Sequence, residues 1–215
     1  MPNPVYKVKH RLDSRAFEEL TIAEFLHAET VTLVETASAD PANQRTEVKV
    51  MWDSQSLLVC FEMEDIEPTS PYQNHDDPLY ESNVAEMFID PLGGGRVYYE
   101  LQVNPNNASF DSLVCNNIRK AGRRGDKFFG FTDWNPASFR HKSIIKNGSW
   151  TVIFSIDFDD LFLARHVPPK SGEVWRANFF RIDQTGGETQ YCAWSPTGVV
   201  DFHNTKAFGH LIFEA

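Results

Sequence analysis

The chain has 215 residues, of which 41% are hydrophobic and 13% aromatic, so it is too apolar for an intrinsically disordered protein. With 20 Lys and Arg against 30 Asp and Glu, its formal net charge is −10, which argues against sequence-independent binding to nucleic acid or to an anionic membrane. The length predicts one domain over residues 1–215, with 1–44 as an N-terminal extension packed on it.

The sequence indicates neither a membrane-spanning helix nor an N-terminal signal peptide. No apolar run reaches the roughly 18 residues of a membrane-spanning helix, so no such span is expected. Residues 1–11 are polar and lack the apolar segment of a signal peptide. The short basic cluster at 119–124 is flanked by glycine and is interpreted as a solvated loop.

In chain order, a helix candidate at Ser14–His27 is followed by segments with apolar residues at every second position. This alternation predicts about ten short strands joined by turns, of which Asn147-Gly148 is a strong hairpin signal. The fold class is therefore predicted to be all-β, an antiparallel β-sandwich of jelly-roll or immunoglobulin-like type with little helix. The predicted strands are 30–34, 48–52, 57–63, 84–90, 97–104, 128–134, 139–145, 150–157, 174–183, 189–194 and 208–213.

Familiar catalytic motifs are absent from the sequence. HExxH, GxSxG, GxGxxG and an EF-hand loop are all missing, and the seven histidines form no i, i+4 pair. The three cysteines show neither metal-type spacing nor an even count. The remaining enzymatic option is a glycoside hydrolase that uses Glu86, with Glu100 as the second carboxylate.

One predicted strand, 98–104, has an unusual polar face. Tyr99, Leu101 and Val103 form its apolar side, and the other side carries an aromatic ring, a carboxylate and two amides: Tyr98, Glu100, Gln102 and Asn104. Because sugar hydroxyls both donate and accept hydrogen bonds, amides and carboxylates complement them, while aromatic rings fit the apolar face of a pyranose. The alternative is an ordinary solvated sheet face.

Two aromatic residues lie at strand–loop edges. Tyr80 precedes the strand 84–90, and Trp194 ends a strand before a Pro/Gly turn. Each ring either closes the core or stands out as a stacking platform, and for Trp194 the sequence alone favours the core.

Several segments, in order, resemble family 9 carbohydrate-binding modules from about residue 45 to the end. They are VMWDSQSLLVCFEMED (50–65), DDPLYESNVAEMFIDP (76–91), YYELQVNPNNASFD (98–111), SWTVIFSIDFDDL (149–161), GEVWRANFFR (172–181), YCAWSPT (191–197) and HNTKAFGHLIF (203–213). The resemblance implies a β-sandwich that binds a neutral saccharide without catalysis. It also implies an extracellular or periplasmic location and a role accessory to polysaccharide degradation, with a glycoside hydrolase as a partner.

The same resemblance implies roles for individual residues. Tyr80 and Trp194 correspond to the two rings that clamp a sugar, although the best-known members carry Trp at the first position. Glu86 corresponds to a carboxylate that bonds sugar hydroxyls, and Gln102 stands where binding members can carry Arg. Neighbouring candidates on the strand 174–183 are Asn178 and Arg181, which lie on opposite parities.

The resemblance also implies structural calcium, for which Asp65, Asp77 and Asp90 are the candidate ligands. Acidic residues at strand ends and loops suit an oxygen cage, and Asp76 and Asp111 have similar positions. An alternative function is a haem-binding electron-transfer domain of the related DOMON-type sandwich, with a methionine as axial ligand. The patterns around Met51, Met63 and Met87 favour buried packing instead.

Overall fold

The computed structural model describes residues 2–12, 15–116 and 128–215, and these contain fourteen strands and short 3₁₀ turns. The strands are β1 (Val5–His10), β2 (Thr30–Thr32), β3 (Val34–Glu35), β4 (Thr46–Trp52), β5 (Ser56–Glu64), β6 (Val84–Asp90), β7 (Val97–Val103), β8 (Ser109–Asn116), β9 (Phe128–Phe131), β10 (Arg140–Lys146), β11 (Ser149–Asp157), β12 (Val174–Asp183), β13 (Gln190–Ala193) and β14 (Gly209–Glu214). The 3₁₀ turns are Phe17–Glu19, Ile22–Phe25, Leu79–Glu81, Phe158–Asp160, Thr185–Gly187 and Thr205–Ala207.

The strands form a curled β-sandwich whose hydrogen-bonded path runs β10-β11-β5-β4-β1-β14-β12-β6-β7-β8-β9. The curl brings β10 back towards the loop between β7 and β8. There the Ser143 hydroxyl donates to the Pro105 carbonyl at 2.9 Å, and His141 Nδ1 lies 3.0 Å from Asn107 Oδ1. The predicted fold class is confirmed, and most strand pairs are antiparallel, as expected.

Strand β1 is the exception, because it pairs in parallel with both β14 and β4 in the middle of the path. The sequence did not predict this strand. Only two of its residues, Tyr6 and Val8, face the core, and this is too short an alternation to distinguish a strand from a polar terminus. Its position means that residues near the N-terminus contribute to the middle of the sheet.

The inner face of the curled sheet encloses the main core. Alternation along each strand sends every second side chain inward, as in β5, where Leu57, Val59, Phe61 and Met63 all belong to this cluster. The largest fully buried inner side chains include Trp150 and Trp175. Burial of so much apolar surface is the dominant favourable contribution to folding.

One outer face of the sheet is covered by the chain itself. Phe17, Leu20 and Phe25 pack on the outward side chains of β4, β5 and β11, which include Leu58 and Ile153. The predicted helix at Ser14–His27 is wrong, since the described residues form two 3₁₀ turns separated by extended backbone at Leu20 and Thr21. Ser14 itself lies outside the described residues.

Strand β8 was also missed by the sequence analysis. It pairs with β7 and β9, but Ser109, Asp111, Ser112 and Asn116 interrupt its apolar pattern. The basic cluster at 119–124 lies outside the described residues. Across the described ranges, no helix is long and apolar enough to cross a membrane.

Candidate functional site

The second outer face, formed by β6, β7, β8 and β12, is open and contains a cleft of about 700 Å³. This volume lies within the usual range of about 300–1,000 Å³ for small-molecule sites. Aromatic, aliphatic and polar side chains contribute to its lining. The described lining residues are Tyr80, Glu86, Phe88, Glu100, Phe110, Ser112, Val114, Phe128, Gly130, Thr132, Ile182, Tyr191, Val199, Val200, Asp201, Phe202 and His203.

The floor of the cleft contains two carboxylates joined through one amide. Glu86 on β6 lies opposite Gln102 on β7 in the ladder. The Gln102 amide nitrogen donates to Glu100 Oε1 at 2.6 Å and to Glu86 Oε2 at 3.2 Å. Strand alternation therefore brings together three of the residues that the sequence predicted for sugar binding.

Burial raises the pKa of Glu86 well above its ordinary value, and the neighbouring charge of Glu100 adds to the rise. Glu86 is only 1% exposed, and its Oε1 has no hydrogen-bond partner among the described residues. The same holds for Gln102 Oε1 and Ser112 Oγ. A buried polar atom without a partner costs about 1–3 kcal/mol, so this floor favours a ligand or water that can bond these atoms.

Aromatic side chains rise on both sides of this floor. Tyr80 is 49% exposed and packs edge-on against Phe110 of β8, with ring centroids 5.7 Å apart. Phe202 stacks on Phe180 of β12 at 4.1 Å and contacts Tyr191 edge-on. Since β6 and β7 lie between β8 and β12, Tyr80 and Phe202 rise on opposite sides of the carboxylates.

Phe202 and Tyr191 were not predicted as site residues. Phe202 follows Val199, Val200 and Asp201 in a loop without regular strand alternation. An aromatic residue among the exposed residues of this loop is the one sequence signal that could have indicated it.

The expected pairing of Tyr80 and Trp194 as facing rings is wrong, because Trp194 lies elsewhere. It is 8% exposed and belongs to the inner core, where it contacts the rings of Tyr6 and Phe179. The register of β13 explains this, because Ala193 pairs with outward-facing Phe180 and the next residue points inward. Trp194 does not line the cleft, so Tyr80 and Trp194 do not clamp a common space.

Tyr98 and Asn104 share the outward parity of the floor but are committed to other contacts. The Tyr98 ring is fully buried against Phe88, and its hydroxyl lies 2.7 Å from His203 Nδ1. The Asn104 side chain donates to the Tyr72 carbonyl and accepts from the Ala108 amide. Both residues therefore support the cleft from beneath instead of facing it.

Asn178 and Arg181 lie on opposite faces of β12, as their parity predicted, and neither lines the cleft. The Asn178 amide holds the backbone of Ser195 through bonds of 2.8 and 2.9 Å. The Arg181 guanidinium is completely buried on the inner side and pairs with Asp65 at 3.0 Å and Asp183 at 3.2 Å. The direct sugar contact that the resemblance implied for Arg181 is therefore wrong.

The three aspartates expected at a calcium site do not converge. Asp65 is engaged by Arg181, although burial still raises its pKa. The Asp77 carboxylate accepts the backbone amides of residues 73 and 74, which lowers its pKa, and Asp90 accepts those of residues 93 and 95. As a set they do not fit one oxygen cage. Calcium binding itself stays a prediction.

Three kinds of comparison with known proteins bear on this site. A curated relative, named "Extracellular protein", from Arthroderma benhamiae is 28% identical over 182 residues, covering 79% of this chain and 78% of the relative. A solved structure of a candidate carbohydrate-binding protein from Bacteroides uniformis is similar with a TM-score of 0.78 at 18% identity, covering 99% of this chain and all of that one.

A family 9 carbohydrate-binding module from Caldicellulosiruptor kristjanssonii, solved with glucose and with cellotriose, shares the fold. Its TM-score is 0.69 at 16% identity, covering 98% of this chain and 96% and 94% of the two solved chains. At this level of identity the structural likeness establishes the fold alone. The sequence model of the family described as "Carbohydrate family 9 binding domain-like" matches residues 21–215.

Proposed function

The chain belongs to the carbohydrate family 9 binding domain-like family, and from this premise we propose that it binds a neutral saccharide in the cleft between Tyr80 and Phe202. The family consists of non-catalytic binding modules, so no hydrolysis is assigned to Glu86. Binding, and not bond cleavage, is then the task of the cleft.

The observation that carries this proposal is the group of unpartnered polar atoms at the floor of an aromatic-walled cleft. Glu86 Oε1 accepts hydrogen bonds, whereas the Ser112 hydroxyl both donates and accepts. A sugar presents neighbouring hydroxyls that also donate and accept, so one ring can satisfy both atoms. A purely apolar ligand would leave them unpaired at a cost of about 1–3 kcal/mol each.

The walls supply the apolar half of the recognition. The exposed ring of Tyr80 offers a flat face for the C–H bonds of a pyranose, and Phe202 offers a second ring across the floor. Phe202 already stacks on Phe180, so it is held in place before a ligand arrives. Preorganised rings lose little side-chain entropy on binding, which favours affinity.

The charge of the chain favours a neutral sugar. Its formal net charge is −10, so an acidic sugar would be repelled. At the floor, the carboxyl groups of Glu86 and Glu100 meet at the amide of Gln102, and their oxygens accept hydrogen bonds from neutral hydroxyls. Gln102 in place of Arg makes this preference stronger.

The wider role proposed for the chain is accessory to polysaccharide degradation outside the cell, beside a glycoside hydrolase. Support comes from the curated relative that is named an extracellular protein and from the family structures solved with glucose and cellotriose. A module that holds a polysaccharide raises the local concentration of its chains at an attached or associated enzyme.

Isothermal titration calorimetry tests the proposal with glucose, cellotriose, xylotriose, mannotriose and a galactan oligosaccharide, each with and without calcium. We expect saturable binding of at least one of them and roughly tenfold weaker binding by Glu86→Gln, because the amide changes the donors and acceptors presented to the sugar and a hydrogen bond contributes about 0.5–1.5 kcal/mol. Asp157→Asn, on the far strand β11, is the matched control and leaves affinity unchanged. Absence of heat with every sugar would overturn the proposal.

A further inference from the structure

A second polar cluster lies at the seam where the ends of the curled sheet meet. It consists of His75 and Asp76, in the loop between β5 and β6, and Asp111 on β8. His75 Nε2 lies 3.6 Å from Asp76 Oδ1 and 3.7 Å from Asp111 Oδ2. Asp111 has the strand parity opposite to Phe110 and Ser112, and none of the three residues lines the cleft. The cluster is therefore separate from the proposed sugar site.

Asp111 is the residue that points to a missing partner. It is 2% exposed, and its Oδ2, which faces His75, accepts no hydrogen bond from the described residues. A gap of 3.7 Å to the imidazole is too long for a hydrogen bond. A buried carboxylate oxygen without a hydrogen-bond partner is stabilised by a closer cation.

Each ring nitrogen of His75 has a hydrogen-bond neighbour. Its Nδ1 lies 3.1 Å from the Ser109 hydroxyl, and its Nε2 lies 2.6 Å from Asn135 Oδ1. The Asn135 amide nitrogen is directed to the Thr132 carbonyl, so Oδ1 is the atom turned towards the imidazole. Nε2–H therefore donates to Asn135 Oδ1, and the Ser109 hydroxyl lies against Nδ1. A metal ion that replaced the Nε2 proton would lie among the oxygens of Asn135, Asp76 and Asp111.

The distances are close to those of a small divalent metal ion. Zn²⁺ bonds nitrogen and oxygen at about 2.0–2.2 Å, so ligand atoms around a tetrahedral ion lie about 3.3 Å apart. The two nitrogen–oxygen distances exceed that value by a few tenths of an ångström, which side-chain rotation can close. Because an imidazole is the central ligand, the chemistry suits zinc better than calcium, which takes oxygen ligands.

We propose that His75, Asp76 and Asp111 bind Zn²⁺, and that the ion displaces to solvent the proton that Nε2 donates to Asn135 Oδ1. The Ser109 hydroxyl lies against Nδ1 and holds the imidazole so that Nε2 faces Asp76 and Asp111. Asp76 adopts a left-handed backbone with φ of 64°, which turns its carboxylate towards the same point. The ion ties the loop that carries Tyr80, five residues further on, to strand β8.

The test titrates the chelator-treated full chain with Zn²⁺, Co²⁺ and Ca²⁺ by calorimetry, with the visible absorption of Co²⁺ as a spectroscopic readout. We expect one Zn²⁺ per chain, no displacement by Ca²⁺, and at least tenfold weaker Zn²⁺ binding in His75→Gln and Asp111→Asn. Asp76→Asn, which tolerates the left-handed backbone, gives a second probe that is expected to fold. His166→Gln is the control, because His166 is exposed and pairs with a single carboxylate, Glu173, at 2.9 Å.

Two results would overturn this proposal. One is Zn²⁺ binding with the same affinity and stoichiometry in His75→Gln and Asp76→Asn as in the unaltered chain, with near-ultraviolet circular dichroism showing folded protein. The other is Ca²⁺ bound in preference to Zn²⁺ with His75→Gln unaffected, which would make the cluster an oxygen-only site. Sugar titrations on the same samples separate failure here from failure of the proposed function.

Discussion

The curled sheet has two outer faces, and the chain treats them differently. Over β4, β5 and β11, the segment 17–28 places Phe17, Leu20 and Phe25 on an apolar surface and closes it. Over β6, β7, β8 and β12, the loops around Tyr80 and Phe202 rise at the sides and leave a cleft. On the covered face the side chains of segment 17–28 meet an apolar cluster of Met51, Leu58, Cys60 and Ile153, whereas the floor of the open cleft contains two carboxyl groups and an amide.

The difference indicates which surface is built for a ligand. Segment 17–28 covers the apolar residues of one face, because burial of each aromatic ring contributes favourably to the free energy of folding. Unpartnered polar atoms under an open cleft lower the stability of the free protein, and a ligand can satisfy them. Four substitutions test this difference between the faces and the separate inner core.

The largest effect is expected on the covered face. Phe25→Ala removes a ring that is 1% exposed, and the free energy of unfolding should fall by about 3–5 kcal/mol because the truncation leaves a cavity. Chemical denaturation measures this loss. Sugar affinity of the folded fraction should stay unchanged. A loss below 1 kcal/mol would show that segment 17–28 does not seal this face.

A similar loss is expected for the inner core at Trp194→Ala, again about 3–5 kcal/mol. Trp194 packs so closely that a β-carbon at Gly209 would lie 2.5 Å from its ring, so little relaxation is possible. Urea denaturation gives the stability, and calorimetry gives the sugar affinity of the folded variant. A variant that keeps full stability but loses sugar binding would contradict the core position of Trp194 and would show that its ring stacks on the sugar.

An intermediate, pH-dependent effect is expected at Glu86. Burial raises the pKa of this carboxyl in the folded state, so the folded chain holds the proton more tightly than the unfolded chain. Stability therefore falls as pH rises from about 4.5 through the folded pKa. Glu86→Gln removes that contribution. The free energy of unfolding of the variant should therefore rise relative to that of the unaltered chain as pH increases from 4 to 9.

The control for Glu86→Gln is Glu18→Gln, which makes the same chemical change at an exposed residue of the covered side and leaves the cleft floor intact. Equal slopes for Glu86→Gln and Glu18→Gln would contradict a buried, proton-retaining carboxyl at the cleft floor.

The smallest effect on stability belongs to Tyr80→Ala on the open face. The ring is 49% exposed and has one edge-on aromatic contact, with Phe110, so unfolding should change by less than about 1 kcal/mol. Sugar affinity should fall about five- to tenfold, since an aromatic contact contributes about 0.5–1.5 kcal/mol. Phe129→Ala, exposed on β9, is a matched control that leaves affinity unchanged.

Strand periodicity made much of the fold predictable. The hairpin of β4 and β5 and the pair β6 and β7 follow from alternation of apolar residues, and the polar face of β7 was correctly separated from its core face. Strands β1 and β8 were missed for different reasons. The apolar alternation of β1 is too short, and polar residues interrupt the alternation of β8. A parallel strand far from its partners in sequence leaves no local signal.

The site was predictable only where it depends on the alternation of side chains along the strands. Glu86, Glu100 and Gln102 come together because the alternation of β6 and β7 places them on one face. Trp194 depends on the register between β12 and β13, and a shift by one residue would turn it outward. Arg181 depends on long-range ion pairs with Asp65 and Asp183, and a sequence pattern does not contain that information.

The most direct test of this account is a crystal structure of the chain with a sugar that binds in the calorimetric panel. The account predicts a pyranose ring on Tyr80, with hydroxyls bonded to Glu86 and Ser112 and with Phe202 across the floor. A sugar stacked on Trp194, or bound over the face that Phe25 covers, would contradict it.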